Sequence, residues 1–215
     1  MVASDERFPR RAARARATKR RIVDAAIDGF TSAGYAPTSI ASIARAAGVG
    51  TQTVYAAFGN KATILAAAVD LAIAGDDDAV AVNDRDWMGA VLAEQDPKQR
   101  LRGYATVVAR IQSGAAHVFR VLDLAASDSP ELDALWRETT LRRRAGVTGV
   151  VGPIADAGVL RTGLDAATAI DIVWSLNGHE VFLNLVDRCG WPTARYAEWL
   201  GDALVDLLLA DGRGG

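Results

Sequence analysis

The chain has 215 residues, of which 50% are hydrophobic and 23% are charged, which is typical of an ordinary soluble globular protein with a real core. Its single cysteine, Cys189, excludes an internal disulfide, and no Cys/His cluster offers a zinc site. No apolar run approaches the roughly 18 residues that cross a bilayer, and the Arg-rich start lacks the apolar segment of a secretion signal. We therefore expect a cytoplasmic protein without cofactor, metal or membrane contact.

Charge is distributed unevenly along the chain. Residues 1–61 carry ten basic and four acidic residues, a net charge of +6, whereas the remainder carries 14 basic and 22 acidic residues, a net charge of −8. A basic N-terminal part on an acidic body is typical of a polyanion-binding module joined to a different kind of domain. The alternative is a solvated basic tail. We expect residues 1–17 to form a disordered basic arm.

Four helices are predicted between residues 19 and 75 from apolar residues that recur at helical spacing. Ser39 offers an N-cap oxygen to the second helix, which is only about two turns long and ends at Gly48. A third short helix follows at 51–58, and Asn60 is placed to cap the fourth. Two short helices joined by a tight, glycine-bearing turn predict a helix-turn-helix.

The rest of the chain also has helical periodicity and no strand-length alternating segment. Pro97 and Pro130 stand where first-turn prolines belong, while Gly152 and Pro153 predict a kink. The sequence therefore predicts an all-α fold of about nine or ten helices. After a loop that follows residue 75, the predicted helices cover residues 86–94, 97–112, 114–126, 130–157, 165–188 and 193–210.

The third helix carries the chemistry that reading DNA requires. Thr51, Gln52 and Thr53 are expected on its exposed first turn, where hydroxyls bind phosphate, a threonine methyl contacts thymine and glutamine pairs with adenine. Tyr55 can donate its phenolic hydrogen to a phosphate. Lys61 stands at the start of the fourth helix, where its charge and the free backbone amides favour an anion.

The stretch TSIASIARAAGVGTQTVYAAFGNKATIL resembles the DNA-binding domain of the tetracycline-repressor-like (TetR) family, over roughly residues 18–70. The stretch NLVDRCGWPTARYAEWLGDALVDLLL is similar to the C-terminal helices of many members. This resemblance implies a homodimer on a palindromic double-stranded DNA operator, and a core cavity whose small-molecule ligand lowers operator affinity. Thr53, Tyr55 and Lys61 match positions that contact phosphate or bases in members.

The sequence departs from the family pattern at Gly50 and Ala41, which lack the polar side chains that members often carry there. Reading of the operator then depends more heavily on residues 51–53. We expect a helix-turn-helix domain at 18–62 and a ligand-binding and dimerisation domain at 63–210. The expected DNA-binding residues are Ser39, Thr51, Gln52, Thr53, Tyr55 and Lys61.

Aromatic and polar residues on the middle helices are candidate walls of a ligand pocket, although each one alone is as well explained by core packing. Because few charges interrupt these helices, we expect an apolar effector. The wider candidate set also includes Trp87, His117, Asn177 and His179. The residues expected at the pocket are Tyr104, Phe119, Trp136 and Trp174.

Dimerisation is expected to use a four-helix bundle with two helices from each subunit. The alternative is that these helices pack only within one subunit. The expected interface residues are Val173, Val181, Leu185, Trp199, Leu200, Leu204 and Leu207.

The sequence thus indicates a ligand-responsive DNA-binding regulator, a repressor by the family pattern. Control by a protein partner, or by no ligand at all, remains the alternative. An enzyme is not expected, because the chain has no His-Glu-x-x-His, Gly-x-Ser-x-Gly or phosphate-binding glycine loop.

Overall fold

The computed structural model describes residues 7–75 and 86–210, with side chains described from residue 12 onward. Within these ranges the chain is all-α, as the sequence predicts, and its only β pairing is an isolated bridge between Leu160 and Leu209. The ten α-helices are α1 (Arg7–Ala33), α2 (Ile40–Ala46), α3 (Thr51–Phe58), α4 (Lys61–Ala74), α5 (Asp86–Ala93), α6 (Pro97–Ala125), α7 (Pro130–Asp156), α8 (Ala166–Leu176), α9 (His179–Phe182) and α10 (Thr193–Leu208).

Helix α1 begins at Arg7 and not near Lys19, so the described part of the expected basic arm is helical and the expectation of disorder was wrong there. The physical reason is composition, because alanine and arginine are among the strongest helix formers. Residues 1–6 of the arm lie outside the described residues, as does most of the loop predicted after residue 75.

The first four helices enclose one hydrophobic core. Ile22 and Phe30 of α1, Ile43 of α2, Val54 of α3 and Leu65 of α4 are almost completely buried in it. These residues recur at the helical spacing seen in the sequence, so each helix turns one apolar stripe inward. The helix-turn-helix prediction is confirmed in its local structure.

Both ends of α2 are fixed by side-chain and turn chemistry. Ser39 is its N-cap and forms a reciprocal capping box with Ser42, whose amide donates to the Ser39 hydroxyl at 3.0 Å. At the other end Gly48, with a φ of +66°, allows a Schellman turn in which the Val49 amide donates to the Ala44 carbonyl at 3.0 Å. The direction of α3 relative to α2 is therefore set locally.

Lys61 holds the turn between α1 and α2 against the start of α4. Its ammonium donates hydrogen bonds to the backbone carbonyls of Tyr35 at 2.8 Å, Ala36 at 3.3 Å and Thr38 at 3.0 Å, and lies 4.1 Å from the centre of the Tyr35 ring. All three N–H groups thus have an acceptor within the protein. Burial lowers the pKa of Lys61, and Asp128 acts in the opposite direction.

The second hydrophobic core lies mainly between α6 and α10, with α5, α7, α8 and α9 around it. Helix α6 was predicted as two helices with a break at residue 113, but it is continuous over 29 residues. Gly114 does not end a helix here. It allows α6 to lie close to α4, because a Cβ at this position would be 3.2 Å from the Ala72 carbonyl oxygen of α4. The first-turn positions of Pro97 and Pro130 are confirmed.

The single helix predicted over residues 165–188 is interrupted. Helix α8 ends at Asn177, Gly178 is extended, and α9 continues as a π-helical segment at Leu183–Arg188. The interruption is stabilised by Gln112 of α6, whose side-chain amide donates to the Asn177 carbonyl at 2.8 Å.

The turn before α8 is tied to the end of α10. The Arg161 amide donates to the Leu208 carbonyl at 2.7 Å, its guanidinium donates to the Asp206 carbonyl at 2.8 Å, and the Ala210 amide donates to the Val159 carbonyl at 3.3 Å. These bonds fix the C-terminal end of α10 to the α7–α8 connection.

No helix in the described ranges is, by itself, long and apolar enough to cross a bilayer. Taken together α3 and α4 meet that criterion, but they are bent by 70° at their junction.

We expect the substitution Lys61→Met to lower the free energy of unfolding by about 1–3 kcal/mol, because the partly buried carbonyls of Tyr35 and Thr38 and the exposed carbonyl of Ala36 lose their donor. Lys98→Met, at an exposed position of α6, is the matched control and should change it by no more than about 0.5 kcal/mol. Urea unfolding followed by circular dichroism measures both. Equal stability of the two variants would contradict the role assigned to Lys61.

Candidate DNA-binding surface and ligand-binding core

The first turn of α3 is presented to solvent. Thr51, Gln52 and Thr53 are exposed, whereas Val54 behind them is fully buried and anchors the helix. The N-cap is Gly50, which contributes no side-chain hydrogen bond, so the first amides of α3 point outward as helix starts do. This turn can therefore approach the bases and phosphates of a major groove.

Tyr55 lies one turn further along α3 and is 50% exposed, unusually high for a large aromatic side chain. Phe58 is half-buried instead, with the Lys19 ammonium 5.9 Å from its ring centre. The two aromatics thus have different environments, as the sequence predicts.

Two members of the predicted DNA-binding set have other partners in the protein. Ser39 is exposed, but its hydroxyl already accepts the Ser42 amide as a helix cap. The Lys61 ammonium points at the carbonyls of the α1–α2 turn, whose oxygens carry partial negative charge and attract it as an anion would. The phosphate contact expected of Lys61 stays a prediction.

Exposed positive charge in this part of the chain is carried by α1 and α2, and Lys19 of α1 lies against Phe58 of α3. Arg14, Arg16, Lys19 and Arg21 on α1 are exposed, and so is Arg45 at the end of α2. Exposed cations on a helix-turn-helix domain favour binding to the phosphate backbone of DNA.

A second constellation lies in the core of the C-terminal part, where polar groups are buried. The Asn177 side-chain amide donates to the Tyr104 hydroxyl at 2.7 Å, and both residues are at least 96% buried. Burial raises the pKa of Tyr104 to about 12, so its hydroxyl is neutral and keeps its proton. Burial also raises the pKa of Tyr196 of α10.

Arg143 of α7 reaches the same region. Its guanidinium lies 4.6 Å from the centre of the Trp174 ring, and one of its nitrogens is 3.4 Å from the position that a Cβ on Gly178 would occupy. Burial lowers the pKa of Arg143, while Glu180, Tyr104 and Tyr196 act in the opposite direction.

A third group surrounds the buried imidazole of His179. The ring centres of Phe119 and Trp136 lie 6.3 and 6.0 Å from that of His179. Its Nε2 lies 3.7 Å from an Asp123 carboxylate oxygen and its Nδ1 lies 3.4 Å from one of Glu180.

The carboxylates of Asp123 and Glu180 and the imidazole of His179 lie close enough together to be considered as metal ligands. One imidazole nitrogen would then have to face the metal together with both carboxylates. Here each nitrogen faces a different carboxylate, so the arrangement fits an imidazole between two acids better than a metal site.

The structure places the four predicted pocket residues in two neighbouring groups. Tyr104 and Trp174 belong with Arg143, while Phe119 and Trp136 belong with His179; the chain links the groups directly through residues 177–179. Arg143, Gln112 and Tyr196 belong to these groups and are not among the residues predicted from the sequence. A signal for Arg143 existed, because it lies at i+7 from Trp136 on the face of α7 that also carries Val147, which is fully buried.

The residues predicted at the dimer interface differ in how deeply they are buried within the subunit. Val173, Leu200 and Leu204 are completely buried within the subunit, so their assignment to a surface between subunits was wrong. They lie on the faces of α8 and α10 that pack inward. The remaining four are partly buried or exposed: Val181, Leu185, Trp199 and Leu207, the last being 40% exposed.

We expect the protein to become less stable as the pH falls below about 6.5, the ordinary pKa of histidine. Burial lowers the pKa of His179, with Arg143 and Arg120 adding to this and Glu180 and Asp123 opposing it. The folded protein then binds fewer protons at this position than the unfolded chain, so acid favours unfolding.

Urea unfolding at pH 7.5 and pH 5.5 tests this expectation, with His179→Gln as the comparison. The parent should lose more free energy of unfolding between the two pH values than the variant does. An equal loss in both proteins would show that His179 is not responsible.

Comparisons with known proteins agree with this geometry. Residues 22–72, which span most of α1 to α4, match the family model described as bacterial regulatory proteins, tetR family. A comparison with proteins of curated function found no match.

Solved structures share the fold over almost the whole chain. A TetR-family transcriptional regulator from Mesorhizobium loti is 23% identical, with a TM-score of 0.65, over 91% of this chain and 98% of that one. FadR from Bacillus subtilis, in complex with stearoyl-CoA, is 19% identical, with a TM-score of 0.70, over 86% and 97%. SmeT, in complex with triclosan, is 19% identical, with a TM-score of 0.69, over 91% and 93%. At these identities the similarity shows the common fold.

Proposed function

We propose that this chain, a transcriptional regulator of the tetR family of bacterial regulatory proteins, binds a palindromic DNA operator as a homodimer and releases it when a small molecule binds its C-terminal core. The observation that carries the proposal is the exposed first turn of α3 on a domain that matches the family model. Repression, with the effector as inducer, follows the family pattern.

Recognition of DNA is assigned to side chains that are exposed and have no side-chain hydrogen bond to another of the described residues. Thr51, Gln52 and Thr53 are free to contact base edges, and Tyr55 is free to donate to a phosphate. Ser39 and Lys61 instead shape the domain, by capping α2 and by holding the α1–α2 turn, and support recognition indirectly. A dimer presents two such helices about 34 Å apart, one turn of DNA, which explains a palindromic operator.

The proposed dimer surface lies on the outer side of α9, its π-helical continuation and α10. Leu207 is 40% exposed, and Val181, Leu185 and Trp199 are only partly buried at the edge of the core. Trp191 and Trp199 pack edge to face with ring centres 6.1 Å apart, which adds aromatic area to this side. Aromatic and aliphatic groups of this kind are enriched in subunit interfaces.

Coupling between the core and the DNA-binding domain is assigned to α4. Its start is bonded to α7, because the Asn60 amide donates to a Glu131 carboxylate oxygen at 3.1 Å. Near its end, Asp70 pairs with Arg142 of α7 at 3.2 Å. A ligand that moves α7 therefore moves α4 and the helices packed against it, and this shifts the population of the DNA-binding arrangement.

The solved relatives make a small-molecule effector reasonable, since FadR was solved with stearoyl-CoA and SmeT with triclosan. In this chain the polar groups around Tyr104, Asn177 and His179 lie in the core of the corresponding domain. An effector with polar groups therefore suits this core better than the wholly apolar one expected from the sequence.

We expect Gln52→Ala and Tyr55→Phe to weaken binding to the operator. Loss of a bidentate base contact costs about 1–3 kcal/mol of discrimination, so Gln52→Ala should reduce the preference for operator over scrambled DNA. Tyr55→Phe should weaken binding to both duplexes, because it removes a phosphate contact.

The measurement uses fluorescence anisotropy on DNA from upstream of the protein's own gene, on a scrambled duplex of equal length, and across a salt series. Gln99→Ala, at an exposed position of α6, is the matched control and should bind like the parent. The proposal is refuted if the parent binds neither duplex at low salt, or if both α3 variants bind as tightly as the parent.

We expect Leu207→Glu to shift the protein from dimer to monomer, because a carboxylate in an apolar interface loses its hydration. Leu124→Glu, which alters a leucine that is 70% exposed on α6, is the control and should leave the dimer intact. Sedimentation velocity measures the oligomeric state. A dimer in both variants would place the interface elsewhere.

A further inference from the structure

The guanidinium of Arg143 lacks an anionic partner in contact with it. Among the described residues it has no hydrogen bond and no ion pair, and its close neighbour is the Trp174 ring at 4.6 Å. Its neighbour in sequence, Arg144, pairs instead with Asp171 at 2.6 Å. A half-buried cation without an anion is unfavourable unless something binds it in the functional state.

Several buried polar atoms around Arg143 also lack a partner in the described residues. The Tyr196 hydroxyl, the Asn177 side-chain oxygen and the Gln112 side-chain oxygen make no hydrogen bond, although these residues are at least 97% buried. The indole N–H of Trp174 and the hydroxyl of Thr140, which is three residues before Arg143 on α7, are likewise unpaired. Such a concentration of unpaired groups in one core is unusual in a folded protein.

Most of these groups can donate hydrogen bonds. The Tyr104 hydroxyl accepts from Asn177, which leaves its own proton available, and the Tyr196 hydroxyl and Trp174 indole bring further donors. The Arg143 guanidinium interacts electrostatically with both tyrosines, and a planar guanidinium suits a carboxylate, which accepts two parallel hydrogen bonds from arginine.

The nearby charges do not neutralise Arg143 by contact. Glu180 interacts with it electrostatically but forms no ion pair with it, and its side chain is 61% exposed beside His179. Asp123 lies on the other side of His179, and Arg120 adds positive charge to the same neighbourhood. A ligand anion would therefore meet a guanidinium with which no carboxylate of the described residues forms an ion pair.

The surroundings of this polar group are apolar and aromatic. Phe182 packs edge to face on Tyr196 with ring centres 5.0 Å apart, and Trp199 lies 6.1 Å from Tyr196. Gly178 leaves room for the Glu180 carboxylate, because a Cβ there would lie 2.5 Å from its Oε2, and the nearest Arg143 nitrogen would lie 3.4 Å from the same position. An occupant thus needs one anionic end and an apolar body.

We propose that Arg143, with the hydroxyls of Tyr104 and Tyr196, binds the carboxylate of an amphipathic organic acid, whose apolar body lies among the aromatic residues of the core. This inference rests on the proposed function for the role of the acid as effector, but the binding site itself does not depend on DNA binding. The ligand is an organic monocarboxylate. The alcohol and the amine with the same carbon skeleton are expected to bind more weakly.

Calorimetric titration of the purified full-length protein, without DNA, tests the site. The probes are decanoate and 1-naphthoate, each compared with the alcohol and the ammonium compound of the same carbon skeleton. At least one acid should bind at least about tenfold more tightly than its alcohol, because charge-assisted hydrogen bonds are the strong ones. Binding of the alcohols as tightly as the acids, or no binding of either acid up to millimolar concentration, overturns the proposal.

Three variants identify the residue responsible. Arg143→Gln should lower the affinity for the acid by roughly 10- to 100-fold while leaving that for the alcohol unchanged. Arg143→Lys should retain part of the preference, because it keeps the charge and loses the planar fork. Arg144→Gln, which removes the neighbouring arginine that is paired with Asp171, is the matched control and should bind like the parent.

Thermal unfolding of the Arg143→Gln protein tests whether a loss of binding is caused by a loss of folding. Removing a half-buried cation should leave the melting temperature unchanged or higher. Retention of the acid preference in a folded Arg143→Gln protein overturns the proposal.

A separate titration of the operator complex with the acid tests the regulatory role. If the acid binds through Arg143 but DNA binding is absent, the proposed function fails and the site remains. If the acid fails to bind while the operator complex forms, the site fails and the proposed function remains.

Discussion

One helix has to serve two hydrophobic cores, and the rest of the structure depends on this constraint. Helix α6 contributes Leu101, Tyr104 and Val108 to the C-terminal core, and Phe119 and Leu122 to the core shared with α1 and α4. Because a helix of 29 residues is stiff along its axis, the two cores cannot change independently. Helix α4 contacts α6 at Gly114, where the absence of a side chain lets the two helices lie close together.

The interior of the C-terminal part contains polar groups where the two cores meet. The cores meet near the ends of α8 and α9, where the helix is interrupted at Asn177 and Gly178 and where Gln112 of α6 satisfies a free carbonyl. Interrupting a helix in the interior exposes backbone groups that need polar partners. The same interruption brings Arg143 close to the backbone, so the chemistry of the core follows from the break in the helix.

How far the sequence could predict the structure depends on the range of the interactions involved. The helix-turn-helix is fixed by local signals, such as the Ser39 cap and the glycine after α2, and it was predicted closely. The partners of Lys61 were not, because the carbonyls that it binds lie 23 to 26 residues away along the chain. Arg143 reads as a surface residue within a charged stretch, and only the packing of α7 against α8 shows its environment. Val173 and Leu204 show the same limit, since periodicity identifies an apolar face without telling which neighbour covers it.

The bonds between the α7–α8 connection and the end of α10 limit how the molecule can respond to an effector. With its C-terminal end tied at Leu208 and its middle packed on α6, α10 behaves as part of a fixed frame. The N-terminal helices pack on α6 through α1 and α4 and on α7 through α4, so they follow a movement of α6 or α7 relative to this frame. Under the proposed function, the regulatory signal is therefore expected as a movement of the N-terminal helices as one body against this frame, with little deformation of either part.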